Sequence, residues 1–291
     1  MPQNKAAAWF DATFLDLGRE FRWSFLPPLM VYLAAGVSGL TAIVGTFFVK
    51  DYLGLSAAFL AGLSFWAGIP WTLKMPLGHL VDLIWRRKAA LVYLGAGLIA
   101  TSIAIMYGLI AHTEAMVAVM PSEAWYVLSA LLAPTGYVLQ DVVADAMTVE
   151  AVPTVDQGGA ALDEAEVKRM HTTMQTLGRF AIIGGLAGVA ALNITLFSGV
   201  EDMSESDKAA VYADIYLIAL VIPLISVSGV LLGGVLQRRR AAHLRAQGMA
   251  EERVQSLLFL PTQKTEINWW IFGGGLVFVC FTLAVGLSEL Q

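Results

Sequence analysis

Long apolar runs, separated by short polar connections, fill most of the chain. Each run has about the 20 residues that a helix needs to cross the ~30 Å hydrocarbon core of a bilayer. The pattern predicts seven membrane-spanning helices, at about residues 27–48, 55–84, 89–111, 123–149, 173–198, 209–236 and 268–289. Polar residues interrupt the second and fourth runs. Function is expected at these interruptions, because ionisable groups in hydrocarbon are costly.

The runs and their flanks also predict a domain organisation. Phenylalanine and leucine recur at helical spacing beside charged residues near the N-terminus, which indicates an amphipathic interfacial helix; a tail docked on the protein's own loops fits the same pattern. Pro70 and Pro76 predict a broken or kinked second span. The predicted domains are an interfacial segment at 1–26, a six-helix transmembrane bundle at 27–236, a basic cytoplasmic linker at 237–267 and a seventh transmembrane helix at 268–291.

Composition agrees with a membrane protein. Hydrophobic residues make up 57% of the 291 residues and charged residues only 14%, about half the charged fraction of a usual soluble domain. We therefore expect an all-α, multi-pass protein of the cell (inner) membrane, with the lipid bilayer as a partner. The dense basic runs are two short loop clusters, so no nucleic-acid surface is expected.

Catalytic and metal-binding motifs are missing from the sequence. It contains no HExxH, no phosphate-binding glycine loop followed by Lys-Ser/Thr, and no Ser/His/Asp arrangement with supporting local sequence. The only cysteine, Cys280, lies inside an apolar run, so neither a disulfide nor a cysteine metal site can form. We predict no enzymatic activity, no catalytic residue, no metal and no cofactor.

Basic residues predict the orientation. If the N-terminus is cytoplasmic, fourteen of the 18 lysines and arginines lie on the cytoplasmic side, and only Lys50 and Lys208 lie on the opposite side. The remaining two, Lys74 and Arg179, fall within spans. This distribution follows the positive-inside rule, so we expect a cytoplasmic N-terminus.

The charged residues inside the spans are the candidate substrate and proton pathway. Asp141 and Asp145 are one helical turn apart and share a face of the fourth span, where Gln140 flanks them. Lys74 on the second span and Arg179 on the fifth lie at overlapping depths, so charge pairing across helices is possible.

Three interpretations of these charges stay open at this point. The cations can neutralise the carboxylates in a closed ionic cluster that specifies helix packing. One carboxylate can instead be a proton site, with Lys74 or Arg179 drawing an anionic substrate. The charges can also be solvated in a cytoplasmic vestibule. Trp71, three residues before Lys74, is a candidate stacking surface for a flat ligand, and His79 has the position of an interface residue at a helix end.

A candidate gate motif connects the second and third spans. Gly78, Asp82, Arg86 and Arg87 form the pattern GxxxDxxxRR, in which a small residue permits close helix approach and an aspartate can bind the cations of a tight loop. Glycines in the fifth span, Gly184 and Gly188, offer a similar close-packing face.

The loop motif resembles the signature loop of the major facilitator superfamily. Its wider context is similar to the folate-biopterin transporter family within that superfamily, over about residues 27–290. The similar stretches are PWTLKMPLGHLVDLIWRRK, LQDVVADAMTVE and MQTLGRFAIIGGLAGVAAL. The resemblance implies a major-facilitator-like six-helix bundle in which Asp82 is a conformational latch rather than a substrate ligand.

The sequence departs from the superfamily in one respect. Superfamily transporters have two six-helix bundles with the substrate between them, whereas this sequence has seven predicted spans. A truncated or split member, a homo-oligomer that supplies the second bundle, and a scaffold that has lost transport all fit this difference.

Two functions follow. The first is proton-coupled secondary transport of a small organic anion, of the folate or pterin type that the resemblance implies. The second is a non-transporting structural or assembly subunit of a larger, possibly photosynthetic, membrane complex, which the seventh helix would contact.

Overall fold

A computed structural model describes residues 16–48, 53–156, 158–259 and 265–288. Within these ranges the chain is α-helical without β-strands, and an isolated β-bridge joins Val155 to Ala161. The α-helices are α1 (Asp16–Arg19), α2 (Leu26–Val37), α3 (Leu40–Phe48), α4 (Ala57–Thr72), α5 (Lys74–Leu83), α6 (Ala89–Ala111), α7 (Thr113–Val117), α8 (Ser122–Ala151), α9 (Glu164–Leu196), α10 (Glu205–Ala219), α11 (Val221–Ala246), α12 (Glu251–Phe259) and α13 (Trp269–Ser288). Short 3-10 helices at Trp23–Phe25, Trp85–Arg87 and Val200–Asp202 lie in connections.

The described helices confirm an all-α, multi-spanning membrane protein. Six stretches are long and apolar enough to cross a bilayer: Trp23–Phe48, Ala89–Ala111, Ser122–Ala151, Glu164–Leu196, Glu205–Ala246 and Trp269–Gly286. The span predicted at 55–84 differs, because it is divided into α4, with 16 residues, and α5, with 10 residues. Neither half is long enough to cross by itself. The prediction of a broken second span is therefore confirmed.

Glycines allow the central helices to approach closely. A Cβ atom on Gly95 of α6 would lie 2.5 Å from the carbonyl oxygen of Gly136 on α8, and the reverse distance is also 2.5 Å. These two helices consequently pack against each other more extensively than any other pair of described helices.

The contact between α2 and α9 uses a different glycine from the expected one. Open space faces Gly184 and Gly188, whereas a Cβ atom on Gly185 would lie 2.9 Å from the backbone of Gly36. The small-residue face predicted at Gly184 and Gly188 is therefore wrong by one position, because α9 is rotated about its axis relative to the expectation.

The described part of the N-terminal segment is docked on α9. The Glu20 carboxylate accepts a hydrogen bond from the Thr173 hydroxyl at 2.5 Å, and Arg22 lies 3.5 Å from Glu166. Phe25 is fully buried. The first part of the predicted amphipathic segment, residues 1–15, lies outside the described residues.

The predicted linker at 237–267 is helical over much of its described length. α11 continues past residue 236 to Ala246, and α12 folds back so that Val254 and Leu258 pack on Ala241 and Leu244. The end of the transmembrane bundle and the start of the linker are thus one continuous helix.

The last helix, α13, lies at the edge of the bundle. It packs against α4 and α5, the two halves of the broken span. A Cβ atom on Gly275 would lie 2.9 Å from the ring of Pro76, which shows how closely α13 approaches α5. Trp270 and Val277 are among several large apolar side chains that α13 exposes on its other side.

Candidate functional site

The break between α4 and α5 positions the first residue of the site. Proline has no amide hydrogen and its ring clashes with the carbonyl four residues earlier, so Pro76 removes the Thr72 carbonyl from the helical hydrogen-bond ladder. α4 accordingly ends at Thr72, and α5 begins at Lys74 after the single junction residue Leu73. The Lys74 side chain is thereby the first on α5 and reaches across to α8.

Lys74 lies between two carboxylates of α8. Its ammonium Nζ is 2.5 Å from Asp141 Oδ2 and 3.1 Å from Asp145 Oδ2. The carboxylates share a face because they are four residues apart on one helix. The Asp141 side chain is only 14% exposed, whereas those of Lys74 and Asp145 are 43% and 50% exposed. The cluster therefore has a buried end at Asp141 and an accessible end at Asp145.

Tyr32 on α2 completes the cluster. Its hydroxyl donates a hydrogen bond of 2.6 Å to Asp145 Oδ1. The ring lies over Gly178 on α9, where a Cβ atom would be 3.0 Å from two ring carbons. A side chain at position 178 would crowd the ring, so Gly178 leaves the room that the Tyr32 ring occupies. The sequence interpretation missed Tyr32, although a tyrosine inside an apolar run is a usable signal.

Arg179 lies at the border of the cluster. Its side chain is exposed and close enough to Asp141 and Tyr32 to act on both electrostatically. No ion pair joins it to another residue of the described ranges. The structure therefore brings Lys74, Asp141 and Asp145 into contact and leaves the Arg179 guanidinium beside them.

Gln140 lies apart from the charged cluster of Lys74, Asp141 and Asp145. It is 2% exposed, accepts a hydrogen bond of 2.8 Å from the Ser226 hydroxyl on α11, and donates one of 3.4 Å to the Val92 carbonyl on α6. Its amide joins three helices and faces away from the charged cluster, because residue 140 lies about 100° around the helix from residue 141.

A cleft runs along α5 between the broken span and α13. Its volume is about 720 Å³, within the usual range for small-molecule sites. Trp71 and Lys74 line one end of the cleft, and Gly78 and Asp82 line it further along α5. Phe278 of α13 lines the opposite side. The structure thus joins the predicted ligand residues Trp71 and Lys74 to the predicted gate residues Gly78 and Asp82 in one cavity.

The predicted gate residues make few contacts. A Cβ atom on Gly78 would meet open space, so the close helix approach expected there is not observed. Asp82, Arg86 and Arg87 are exposed, and none of them forms an ion pair with another described residue. Their role as a gate stays a prediction.

The ion pair that does join this loop to α8 involves Lys88. Its ammonium is paired with Glu150 near the end of α8 and lies 4.1 Å from the centre of the Trp85 ring. Lys88 is buried because the 3-10 turn Trp85–Arg87 directs it inward, while the two arginines before it face outward. The sequence interpretation did not single out this pair.

His79 of α5 contacts the start of α13. Its Nε2 accepts a hydrogen bond of 2.8 Å from the backbone amide of Asn268, at the start of α13, and its ring lies 5.2 Å from that of Phe272. His79 is buried. The structure therefore places His79 in the packing contact between α5 and α13.

Fold and site together define a multi-pass membrane protein with a charged cluster at a broken helix. The chain is similar to a folate-biopterin transporter from Synechocystis sp., with 38% identity over 79 residues. The aligned segment is 26% of this chain and 16% of that transporter's length. No family model matches the chain, and no solved structure matches it.

Proposed function

We propose that the protein is a secondary transporter that couples movement of a small organic anion to movement of a proton. The observation that carries the proposal is the position of the Lys74 ammonium between Asp141 and Asp145, with one carboxylate buried and the other accessible. The folate-biopterin transporter to which part of the chain is similar suggests the folate or pterin class of substrate. The proposal assigns no enzymatic reaction.

Charge balance supplies the coupling. With Lys74 and Arg179 positive and both aspartates negative, the four groups sum to zero. Protonation of one aspartate leaves a net positive charge, and an anion is then attracted to the lysine and arginine. Because binding linkage is reciprocal, the bound anion favours the proton to the same extent. Proton and anion therefore bind together.

The cleft supports a binding site next to the cluster. Trp71 is 45% exposed and lines the cavity beside Lys74. An exposed indole ring offers a flat apolar surface on which an aromatic part of a ligand can stack. The α13 side chains that line the opposite wall would shield the bound ligand from lipid.

Uptake by reconstituted vesicles tests the proposal. The probe is radiolabelled folate with an imposed inward proton gradient, and the variants are Asp141→Asn and Asp145→Asn. At least one variant is expected to lose uptake by tenfold or more while keeping its helical circular dichroism and its elution volume. Asp202→Asn, in the connection between α9 and α10, is the matched control. Normal uptake by both cluster variants contradicts the coupling role.

A second candidate function is that of a structural or assembly subunit in a larger membrane complex. The exposed apolar side of α13 favours it, since Trp269 and Trp270 are 73% and 90% exposed and Val277 is 69% exposed. Native mass spectrometry after gentle solubilisation tests it: a stoichiometric hetero-complex supports this function, and a lone particle argues against it.

A further inference from the structure

The cleft along α5 has a charge at each end of one helix face. Lys74, Gly78 and Asp82 are spaced by four residues, so they lie above one another on the same side of α5, and all three line the cavity. At about 1.5 Å per residue, the two charged positions are roughly 12 Å apart along the helix. Lys74 and Asp82 are the charged residues among those that line this cleft.

Asp82 is available to a ligand. It is exposed, and it forms neither a hydrogen bond nor an ion pair within the part of the chain that the structure describes. The contact between this loop and α8 is instead made by Lys88 and Glu150. Asp82 itself is one of the residues that line the cavity.

The remaining walls are apolar. Trp71, Met75 and Phe278 line the cleft and are 45%, 64% and 55% exposed, and glycines of α13 form part of the opposite side. His79 also lines the cavity, but its Nε2 is already occupied by the Asn268 amide. Along α5 the cleft is therefore lined by a lysine, an apolar stretch and an aspartate, in that order.

We propose that this cleft binds an elongated organic acid that also carries an amine, with its acid group at Lys74 and its amine at Asp82. The inference rests on the proposed function, because Lys74 can receive an acid group once one of its own aspartates is protonated. The separation of the two charges selects for length: an amine directly beside the acid cannot reach both ends. Asp82 is thus a ligand-binding residue that sets specificity.

Rigid probes of increasing length test this arrangement. They are 4-(aminomethyl)benzoate, with one ring, its para-linked biphenyl and terphenyl analogues, with two and three rings, and biphenyl-4-carboxylate, which lacks the amine. Binding to the purified full chain in mild detergent is measured by calorimetry at mildly acidic pH, and an identical titration into empty micelles is subtracted.

The two-ring amino acid is expected to bind about tenfold more tightly than biphenyl-4-carboxylate, because a hydrogen bond to a charged group is worth about one decade in affinity. Asp82→Asn should abolish this difference and leave the affinity for biphenyl-4-carboxylate unchanged. Asp202→Asn should preserve the difference, and Lys74→Met should weaken both ligands.

Each contrary result has a defined meaning. If biphenyl-4-carboxylate binds in a Lys74-dependent way but the amine adds nothing, the role of Asp82 is wrong and the proposed transport of an anion is untouched. Equal loss of both ligands in Asp82→Asn, or absence of binding by the whole series, also overturns the inference. The proton-coupled uptake assay with the Asp141 and Asp145 variants decides the proposed function separately.

Discussion

Removal of the Lys74 ammonium is the sharpest test of the charged cluster. In a Lys74→Met variant the side chain keeps its length and apolar stem, but Asp141 loses the cation that lies 2.5 Å from its buried Oδ2 atom. Loss of one partner from a fully buried ion pair costs about 3–5 kcal/mol. Since the Lys74 side chain is 43% exposed and that of Asp145 is 50% exposed, the cluster is only partly enclosed by the protein, and the expected cost is smaller.

We therefore expect the free energy of unfolding to fall by about 2 kcal/mol, a factor of about 30 in the unfolding equilibrium. A second substitution, Asp141→Asn, should return about 1 kcal/mol, because the double variant no longer buries an unpaired charge. Titration with SDS in mixed micelles, followed by far-ultraviolet circular dichroism, measures the wild type and both variants.

An exposed ion pair provides the control. Arg169 lies 3.4 Å from Glu20 and its side chain is 64% exposed, so Arg169→Met should cost less than about 0.5 kcal/mol. The reasoning is refuted if Lys74→Met unfolds like the wild type, or if the double variant is no more stable than Lys74→Met.

Three further predictions concern packing, the loop and pH. Gly185→Val should lower the free energy of unfolding by about 2 kcal/mol because its Cβ would meet the α2 backbone, whereas Gly184→Val, which faces open space, should stay within about 0.5 kcal/mol in the same SDS titration. Glu150→Gln should lower the melting temperature by leaving a buried lysine without its ion-pair partner; an unchanged value in differential scanning fluorimetry argues against a structural role for this pair. A hydrogen bond from Arg245 lowers the pKa of Glu251 from its ordinary 4.5 to about 2, so this contact stabilises α12 above pH 4.5 and is lost as the pH falls towards 2. Hydrogen exchange of α12 amides should show that loss in the wild type and not in Glu251→Gln.

The helices followed well from the apolar pattern, and the broken span followed from proline chemistry. Pro76 removes the Thr72 carbonyl from the helical hydrogen-bond ladder, so a break near Thr72 is a local feature that the sequence suggests, although Pro134 lies inside the continuous helix α8. The rotation of α9 is not local. Whether Gly184 or Gly185 meets α2 depends on how the whole helix packs, and a glycine run leaves both choices open.

In the site, too, some features follow from local sequence and others depend on how the helices pack. The shared face of Asp141 and Asp145 is a matter of helical spacing, and a lysine at similar depth was a natural partner. A polar role for Tyr32 could have been suspected, but the direction of its hydroxyl could not be predicted, because it depends on the contact of its ring with α9 at Gly178. The pairing of Lys88 with Glu150 was missed because three consecutive cations look like one solvated cluster, whereas a 3-10 turn separates their directions.

The attachment of α13 has a consequence for how the protein is assembled during synthesis. The hydrogen bond between His79 and Asn268 joins residues 189 positions apart in the chain. At about 5–20 residues per second, translation separates them by roughly 10–40 s. During that interval the outer side of α5 faces lipid without its final neighbour. Lys74 is protected earlier, because α8 with its two aspartates is synthesised long before α13, so the nascent chain carries a neutralised lysine before α13 is made.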